Sequence, residues 1–234
     1  ARRDVVAPST PEPMTVLVLA CLPWLGATLV GCLPGPARRA SALLAGTVAL
    51  AVTALVLSCA PAVFAGEVLR WSVPWLPALG LDLGLRMDGL AWLFTLLIGG
   101  IGSLVVLYAA WYLDPADPAR RFFVFLLLFM GAMLGVVLAS DLVLLVVFWE
   151  LTSLASFLLI GFWRHDQEAR RGARLALMIT GAGGLALLAG VLLLGHVAGS
   201  FELTQVLASG ALIKSHPLYE TILVLVLLGA FTKS

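Results

Sequence analysis

The chain has 234 residues, of which 62% are hydrophobic and only 12% are charged, with a formal net charge of +1. A soluble domain of this composition would have too few polar side chains to cover its surface. The small net charge and the lack of a basic patch with interleaved aromatics give no indication of nucleic-acid binding, so the composition predicts a membrane protein.

Seven apolar runs are candidates for membrane spans, since a helix crosses a bilayer with about 20 mostly apolar residues. They lie at 14–33, 40–61, 88–113, 122–140, 142–163, 173–197 and 218–234. Residues 1–13, before the first run, are expected to be a disordered upstream extension. The predicted fold class is an all-α polytopic membrane protein with about seven transmembrane helices.

Residues 62–87 differ from the spans, because they contain prolines, charges and alternating pieces such as "LDLGLR". This pattern predicts a small hairpin on the membrane surface between helices 2 and 3. The chain then divides into helices 1–3 with the hairpin (14–113) and helices 4–7 (114–234). Residues 201–213 predict a short amphipathic surface helix.

The basic residues of the loops predict the orientation. Eight arginines fall on one side of the predicted membrane, namely Arg38, Arg39, Arg120, Arg121, Arg164, Arg170, Arg171 and Arg174. From Met14 onward the opposite side carries three basic residues, Arg70, Arg86 and Lys214. Loops rich in Lys and Arg stay in the cytoplasm, so the N-terminus is expected outside.

No cofactor or metal is expected from the sequence. No spacing of His, Cys and carboxylates suggests a metal site, and there is no glycine-rich phosphate loop. Cys21, Cys32 and Cys59 are odd in number and lie in or beside apolar runs. They are therefore interpreted as small hydrophobic residues and not as a disulfide framework.

Glu150 is the one acidic residue well inside a span, in "FWELTSLASFLLIGFW" (148–163). It lies ~12 Å from the start of its helix at 1.5 Å per residue. A charge at this depth costs on the order of 2.5–3.5 kcal/mol, and such residues tend to mark ion pathways. A protonated carboxyl that is merely hydrogen-bonded is the alternative, but Ser153 and Ser156 continue a polar stripe that favours a functional site facing the bundle.

Lys233 and His196 are weaker candidates on spacing alone. Counted from a helix start near Thr221, Lys233 lies ~18 Å into the last span, about 6 Å deeper than Glu150, a difference that a lysine side chain can cover. An ordinary lysine flanking a span remains the favoured interpretation from spacing. His196, near the end of the sixth span, could join a proton path together with Ser153, although a histidine binding the last helix carbonyls is the more common arrangement.

The segments "LVLLVVFWELTSLASFLLIGFW", "RRGARLALMITGAGGLALLAG" and "GAFTKS" together resemble the proton-translocating membrane subunits of complex I and the Mrp antiporters. The likeness is greatest to the A subunits of Mrp-type multisubunit Na+/H+ antiporters. It covers the chain from Met14 onward and implies an N-terminal piece with most of the first of two inverted repeats. Gly181 and Gly184 stand in "TGAGG", where complex I subunits tend to have an arginine and an acid, and this favours the Mrp type.

The resemblance implies that Glu150 and Lys233 form a proton relay. At an effective dielectric near 20, unit charges ~4 Å apart interact by about 4 kcal/mol, so movement of one group would change the proton affinity of the other. The implied function is proton translocation in a Na+ or other monovalent cation/H+ antiporter, together with the other subunits of the complex in a bacterial inner membrane. The chain would be part of a transporter and not an enzyme. The alternative is a membrane-arm subunit of a complex I-like NADH:quinone oxidoreductase or a membrane-bound hydrogenase.

Overall fold

The computed structural model describes residues 14–34, 37–76 and 81–233, so the predicted extension 1–13 lies outside the described residues. The helices and strands within this part are, in chain order, α1 (Met14–Gly31), α2 (Arg38–Ser58), α3 (Ala60–Phe64), β1 (Leu69–Leu76), β2 (Leu81–Met87), α4 (Gly89–Tyr112), α5 (Ala119–Leu138), α6 (Leu142–Ile160), α7 (Gln167–Ala198), α8 (Leu203–Ala208), α9 (Gly210–Ser215) and α10 (Tyr219–Phe231).

The predicted membrane fold is confirmed. By length and composition, six helical segments of the described chain can cross a membrane: α1, α2 with α3, α4, α5, α6 and α7. The seventh predicted span corresponds to α10, an apolar helix of only 13 residues, about 20 Å long at 1.5 Å per residue. The predicted boundaries agree within a few residues except at α7, which begins at Gln167 instead of residue 173.

A hairpin follows the second span, as predicted. Strands β1 and β2 pair antiparallel with Leu69 opposite Met87, although residues 62–64 belong to helix α3 and not to the hairpin. Leu69, Leu85 and Met87 point into the helical core, so the hairpin is anchored by one apolar face. The predicted single helix over 201–213 is two short helices, α8 and α9.

The connection between α5 and α6 lies between the hairpin and the segment that precedes α8. The Ser140 backbone N–H donates to the carbonyl of Gly84 in β2 at 3.0 Å, and the Leu203 N–H donates to the Ser140 carbonyl at 2.9 Å. A side chain at Gly84 would overlap the Ser140 hydroxyl in its present position, so glycine leaves room for it. These bonds hold together the hairpin, the connection before α6 and the segment before α8 at one end of the bundle.

Two groups of helices pack around separate apolar cores. The larger core is formed by α1, α2, α4, α5 and the hairpin, with Phe123, Leu127 and Leu134 fully buried. The smaller core lies between α6, α7, α8 and α9, with α10 packed along α7. Helix α6 joins the groups by packing against both α5 and α7. A side chain on the α7-facing side of α6 therefore lies within the smaller group of helices.

Candidate functional site

Lys233 follows the last turn of α10, and its side chain ends against α6. The Nζ atom donates hydrogen bonds to the Trp149 backbone carbonyl at 2.7 Å, to Thr152 Oγ1 at 2.5 Å and to Ser153 Oγ at 2.6 Å. It also lies over the Trp149 ring, 5.1 Å from the centroid. A lysine ammonium has three N–H donors, so these three oxygens can satisfy all of them.

The three acceptors, which we call the lysine clamp, come from one face of α6. Positions three and four residues apart adjoin on a helix, which places Thr152 and Ser153 one turn after Trp149. Both hydroxyl residues are buried, at 5% and 3% exposure. The Thr152 hydroxyl donates to the Trp149 carbonyl at 2.7 Å while its lone pairs face Lys233. The clamp is therefore a connected set of oxygens and not three independent contacts.

Glu150 follows Trp149 in the chain, and its side chain points toward α7. A Cβ atom added at Gly184 would overlap the Glu150 carboxyl group, so the carboxyl fills the space that this glycine leaves. Glu150 Oε1 is buried and has no hydrogen-bond partner among the described residues. Burial of a polar oxygen without a hydrogen bond is costly, so this oxygen stands out from the other polar atoms of α6.

Glu150 and Lys233 both lie at α6 near Trp149 but do not form an ion pair. Within the part of the chain that the structure describes, the ion pairs are Arg70–Glu202 and Arg86–Asp88, so the clamped lysine makes no direct pair with Glu150. The Lys233 side chain is thus held by three oxygens of α6, whereas the Glu150 carboxyl on the same helix has an oxygen without a hydrogen-bond partner among the described residues.

Glycines of α7 bring the three helices together. A Cβ at Gly183 would overlap Thr232, and a Cβ at Gly229 would overlap Leu187, so α10 lies directly on the α7 backbone. Gly184 beside it receives Glu150 from α6. Gly183 therefore permits the close approach of α10 to α7, whereas Gly184 leaves the space that the Glu150 carboxyl fills.

Two other predicted site residues have different surroundings. Ser153 belongs to the lysine clamp, so the structure brings it together with Lys233. His196 is exposed in the last turn of α7, twelve residues after Gly184, or ~18 Å along the helix. The structure does not bring His196 to the Glu150 carboxyl.

Sequence analysis missed two members of the clamp. Thr152 stands next to Ser153 in "WELTS" and could have been identified as the other hydroxyl on that face of α6. The Trp149 carbonyl is a backbone group and carries no sequence signal. In the described residues, no group of three or more His, Cys, Asp and Glu side chains is arranged to hold a metal ion.

Two acidic residues outside the spans flank the start of α6. Asp141 accepts hydrogen bonds from the N–H groups of Val143 and Leu144 and is only 6% exposed. Burial raises the pKa of Asp141; those two bonds oppose the shift, while Asp82 and Glu202 add to it. Burial also acts to raise the pKa of Glu202, but hydrogen bonds from Thr204 and Gln205 and the charge of Arg70 hold it below its ordinary value.

Two family models match the chain. The model described as "NADH:quinone oxidoreductase/Mrp antiporter, TM" matches residues 139–234, which include Glu150 and Lys233. The model described as "NADH-Ubiquinone oxidoreductase (complex I), chain 5 N-terminus" matches residues 75–123, from the hairpin into α5.

The chain belongs to the family of complex I and Mrp antiporter membrane subunits.

Curated members of this family align over most of the chain. A probable K(+)/H(+) antiporter A/B subunit of Rhizobium meliloti is 52% identical over 93% of this chain and 22% of its own length. The Na(+)/H(+) antiporter A1 subunit of Staphylococcus haemolyticus is 48% identical over 72% of this chain and 21% of its own. The chain thus spans about a fifth of the length of these relatives.

Two solved structures give the same fold. The Mrp complex from Dietzia sp. DQ12-45-1b contains a chain that superposes with a TM-score of 0.81 and 33% identity, covering 94% of this chain and 24% of that one. A membrane-bound sulfane sulfur reductase, an archaeal respiratory membrane complex, superposes with a TM-score of 0.78 at 20% identity over 94% of this chain and 34% of that one, and this supports the fold alone.

Proposed function

We propose that this chain forms the proton-handling membrane part of a multisubunit monovalent cation/proton antiporter, with Glu150 and Lys233 as its proton relay. The observation that carries the proposal is that Lys233 is fully hydrogen-bonded to oxygens of α6, while a buried carboxyl oxygen of Glu150 on the same helix has no partner among the described residues. Ionisable groups inside a membrane span are costly, and they are found where ions pass.

The clamp can hold Lys233 in either protonation state. As an ammonium, the lysine donates to the three oxygens of Trp149, Thr152 and Ser153. As a neutral amine it can accept a hydrogen bond, because hydroxyls donate as well as accept after rotation. The Trp149 carbonyl accepts only, and so it favours the ammonium form. A clamp of this composition stabilises the charged lysine without preventing its deprotonation.

An ionised Glu150 would compete with the clamp for the Lys233 ammonium. A carboxylate at Glu150 attracts the ammonium of Lys233, whereas a protonated carboxyl does not. Ionisation of Glu150 therefore draws the lysine from the clamp, and reprotonation lets it return. Coupling of this step to the passage of a monovalent cation gives exchange of that cation for protons, which is the function of a transporter and not of an enzyme. The names of the relatives divide between K(+) and Na(+), so we propose the cation only as monovalent.

The remaining features of the proposal concern the assembly. The relatives are named as antiporter subunits, and a solved family structure is an Mrp complex, which supports other antiporter subunits as partners. We place the protein in a bacterial inner membrane with its N-terminus outside, because eight arginines lie on the opposite side.

The alternative role in a complex I-like redox enzyme draws support from the descriptions of the two family models. Neighbouring genes discriminate between the two: small antiporter subunits support the first, dehydrogenase or hydrogenase subunits the second.

The test is Glu150→Gln in the complete complex, assayed as cation-dependent proton movement in everted vesicles with Na+ and K+ in separate arms. We expect a loss of about a hundredfold, the usual contribution of a positioned proton-transfer group. Glu220→Gln is the matched control, since Glu220 is exposed in the first turn of α10. Full exchange activity in an assembled Glu150→Gln complex would show that the carboxyl is not part of the proton path.

A further inference from the structure

A cavity of about 540 Å³ opens where α6 ends and α7 begins, on the arginine-rich side of the bundle. Arg164, Arg170 and Arg174 line one part of it, and Phe125, Phe157 and Leu158 line another. This cavity is at the opposite end of α6 from Asp141 and Glu202. It is independent of the lysine clamp and of the proposed transport function.

Helix α7 brings two of the arginines together. The sixth predicted span begins at residue 173, but α7 begins at Gln167 and extends the helix beyond that span. Arg170 and Arg174 are four residues apart, so they lie one turn apart on the same face. Arg164 joins them from the connection before the helix. The longer helix therefore gathers Arg170 and Arg174 on one face, next to Arg164.

Other arginines on this side of the bundle already bind helix ends. Arg38 donates to the Ala110 and Leu113 carbonyls at the end of α4, and Arg120 donates to the Leu33 carbonyl at 2.5 Å. Arg121 donates to the Phe162 carbonyl and lies over the Phe162 ring, 5.1 Å from its centroid. Arg121 also lies close enough to Arg164 for the two charges to repel. The cavity arginines have no such carbonyl partner among the described residues.

The carboxylates on this side do not neutralise the cavity either. Asp166 caps α7 by accepting from the Glu168 N–H at 2.9 Å, and Asp117 accepts from Trp163 Nε1 at 3.1 Å. The Asp114 carboxylate accepts from the Ala116 N–H at 2.8 Å. Within the described chain, both ion pairs involve Arg70 or Arg86 at the other end of the bundle. No carboxylate of the described residues, including Glu168 in the first turn of α7, forms an ion pair with Arg164, Arg170 or Arg174.

The apolar wall of the cavity continues into the membrane. Phe125 lies six residues from the start of α5, or ~9 Å along the helix, and Phe157 and Leu158 belong to the last turn of α6. A ligand that contacts both walls needs an anionic group at the membrane surface and an apolar part that descends about one helical turn or more. Guanidinium groups bind phosphate oxygens in a bidentate manner.

We propose that this cavity binds an anionic phospholipid, with its phosphate held by Arg164, Arg170 and Arg174 and an acyl chain along Phe125, Phe157 and Leu158. Basic pockets between transmembrane helices at the cytoplasmic surface are suited to such headgroups. The lipid would fill the junction of α5, α6 and α7 and neutralise the cluster of arginines.

The test measures phospholipid bound to the purified complete complex by native mass spectrometry. After delipidation, the complex is titrated with short-chain phosphatidylglycerol, phosphatidylcholine or inorganic phosphate. We expect phosphatidylglycerol to bind, and Arg170→Gln/Arg174→Gln to weaken it by about tenfold or more, since each arginine near the surface strengthens binding of anionic lipid several-fold. Arg39→Gln/Arg171→Gln is the matched control; neither of its arginines lines the cavity, and it should bind as the wild type does.

Three results would overturn the proposal. If the cavity and control variants weaken phosphatidylglycerol binding equally, the loss depends only on the net charge of the protein and not on this cavity. Equal binding of phosphatidylcholine would remove the role of the anionic group. Binding of inorganic phosphate that displaces the lipid at equal concentration would show that the apolar wall contributes nothing. If the double variant does not assemble, Arg164→Gln, which lies outside the helices, tests the same site.

Discussion

The two packed regions of this bundle differ in what their helix contacts enclose. Around α1, α2, α4 and α5 the contacts enclose apolar side chains, of which Phe123, Leu127 and Leu134 are fully buried. Between α6, α7 and α10 they enclose a lysine, a carboxyl group and two hydroxyls. Since lipid tails are as apolar as the core, helices associate in membranes through close packing and hydrogen bonds. The first region relies on packing, whereas the second combines packing with polar groups that can change their partners.

Buried threonines illustrate the same difference. Thr95 on α4 has 0% exposure, and its hydroxyl has no partner among the described residues. Thr152 on α6 is similarly buried, but its hydroxyl contacts both Lys233 and the Trp149 carbonyl. A buried threonine therefore only packs in the first region, whereas in the second it also forms hydrogen bonds. Substitutions matched between the regions should separate effects on folding from effects on transport.

The largest effect is expected from a bulky residue at Gly131 in the first region. A Cβ there would lie 2.7 Å from Trp24 Nε1, so the rest of a leucine side chain would force α1 and α5 apart. Overpacking costs about 1–3 kcal/mol and sometimes more, and we expect Gly131→Leu to abolish most of the folded complex. The measurement is the monodisperse fraction in detergent. Gly100→Leu is the control, because a side chain there meets open space; equal loss in both would refute the packing argument.

A glycine substitution in the second region should instead remove activity and leave the fold intact. The Cβ of Gly184→Ala would displace the Glu150 carboxyl, which is the flexible end of a long side chain and can move without shifting a helix. We expect normal amounts of complex and at least a tenfold loss of cation/proton exchange in everted vesicles, since a misplaced proton-transfer group loses most of its contribution.

Gly181→Ala is the matched control for this prediction. Gly181 lies on the same helix, less than one turn earlier, and a side chain there meets open space. Activity at the wild-type level in both variants would contradict the assignment of Gly184 as the position that accommodates Glu150. Equal loss in both would show that α7 tolerates no side chains in this turn, for reasons unrelated to the carboxyl.

The sequence predicted the helices well because their signal is local. About 20 apolar residues in a row are sufficient to define a span, and the hairpin was evident from prolines and alternation in residues 62–87. The start of α7 was missed because charged residues outside a bilayer give no apolar signal, although Asp166 at its N-cap was available. The break between α8 and α9 falls at Ser209 and Gly210, two residues of low helix propensity that an apolar pattern over 201–213 does not register.

The candidate site was predicted in part. Glu150 was identified from charge alone, because an acidic residue deep in a span is rare. Lys233 required the family resemblance, since spacing favoured an ordinary flanking lysine. Thr152, the Trp149 carbonyl and Gly184 act through contacts between helices that are distant in sequence, and a single sequence contains no information on which faces meet. His196 was proposed from residue type, which does not specify its distance from Glu150.

A smaller effect should follow from Thr152→Val, which keeps the shape of the side chain and removes one acceptor of Lys233. A hydrogen bond to a charged group contributes about 1.5–3 kcal/mol, so the lysine should leave the clamp more readily. We expect exchange activity to fall several-fold and its pH optimum to move, with the amount of complex unchanged. Thr95→Val is the control from the first region, where loss of an unpartnered hydroxyl should change neither quantity. An unaltered pH profile in Thr152→Val would contradict a role for the clamp.

The smallest effect is expected at Asp141. Its cap hydrogen bonds stabilise the start of α6, whereas burial of its charge destabilises the folded state. Since burial raises its pKa, the folded state binds the proton more tightly than the unfolded chain does, and stability falls as the pH rises from about 4 through the raised value. Asp141→Asn keeps an oxygen for the N–H groups of Val143 and Leu144 but cannot ionise. This variant should therefore match or exceed the wild type in thermal stability at pH 7–8, and the difference should shrink toward pH 4.

Asp141→Ala separates the two contributions, because it removes the cap as well as the charge. Loss of a cap costs about 1 kcal/mol, so this variant should melt below Asp141→Asn at every pH. The measurement is the melting midpoint of the purified complex between pH 4 and 8. Equal destabilisation by alanine and asparagine at neutral pH would mean that the carboxylate itself stabilises the start of α6, and that its burial there is fully offset by the two backbone hydrogen bonds.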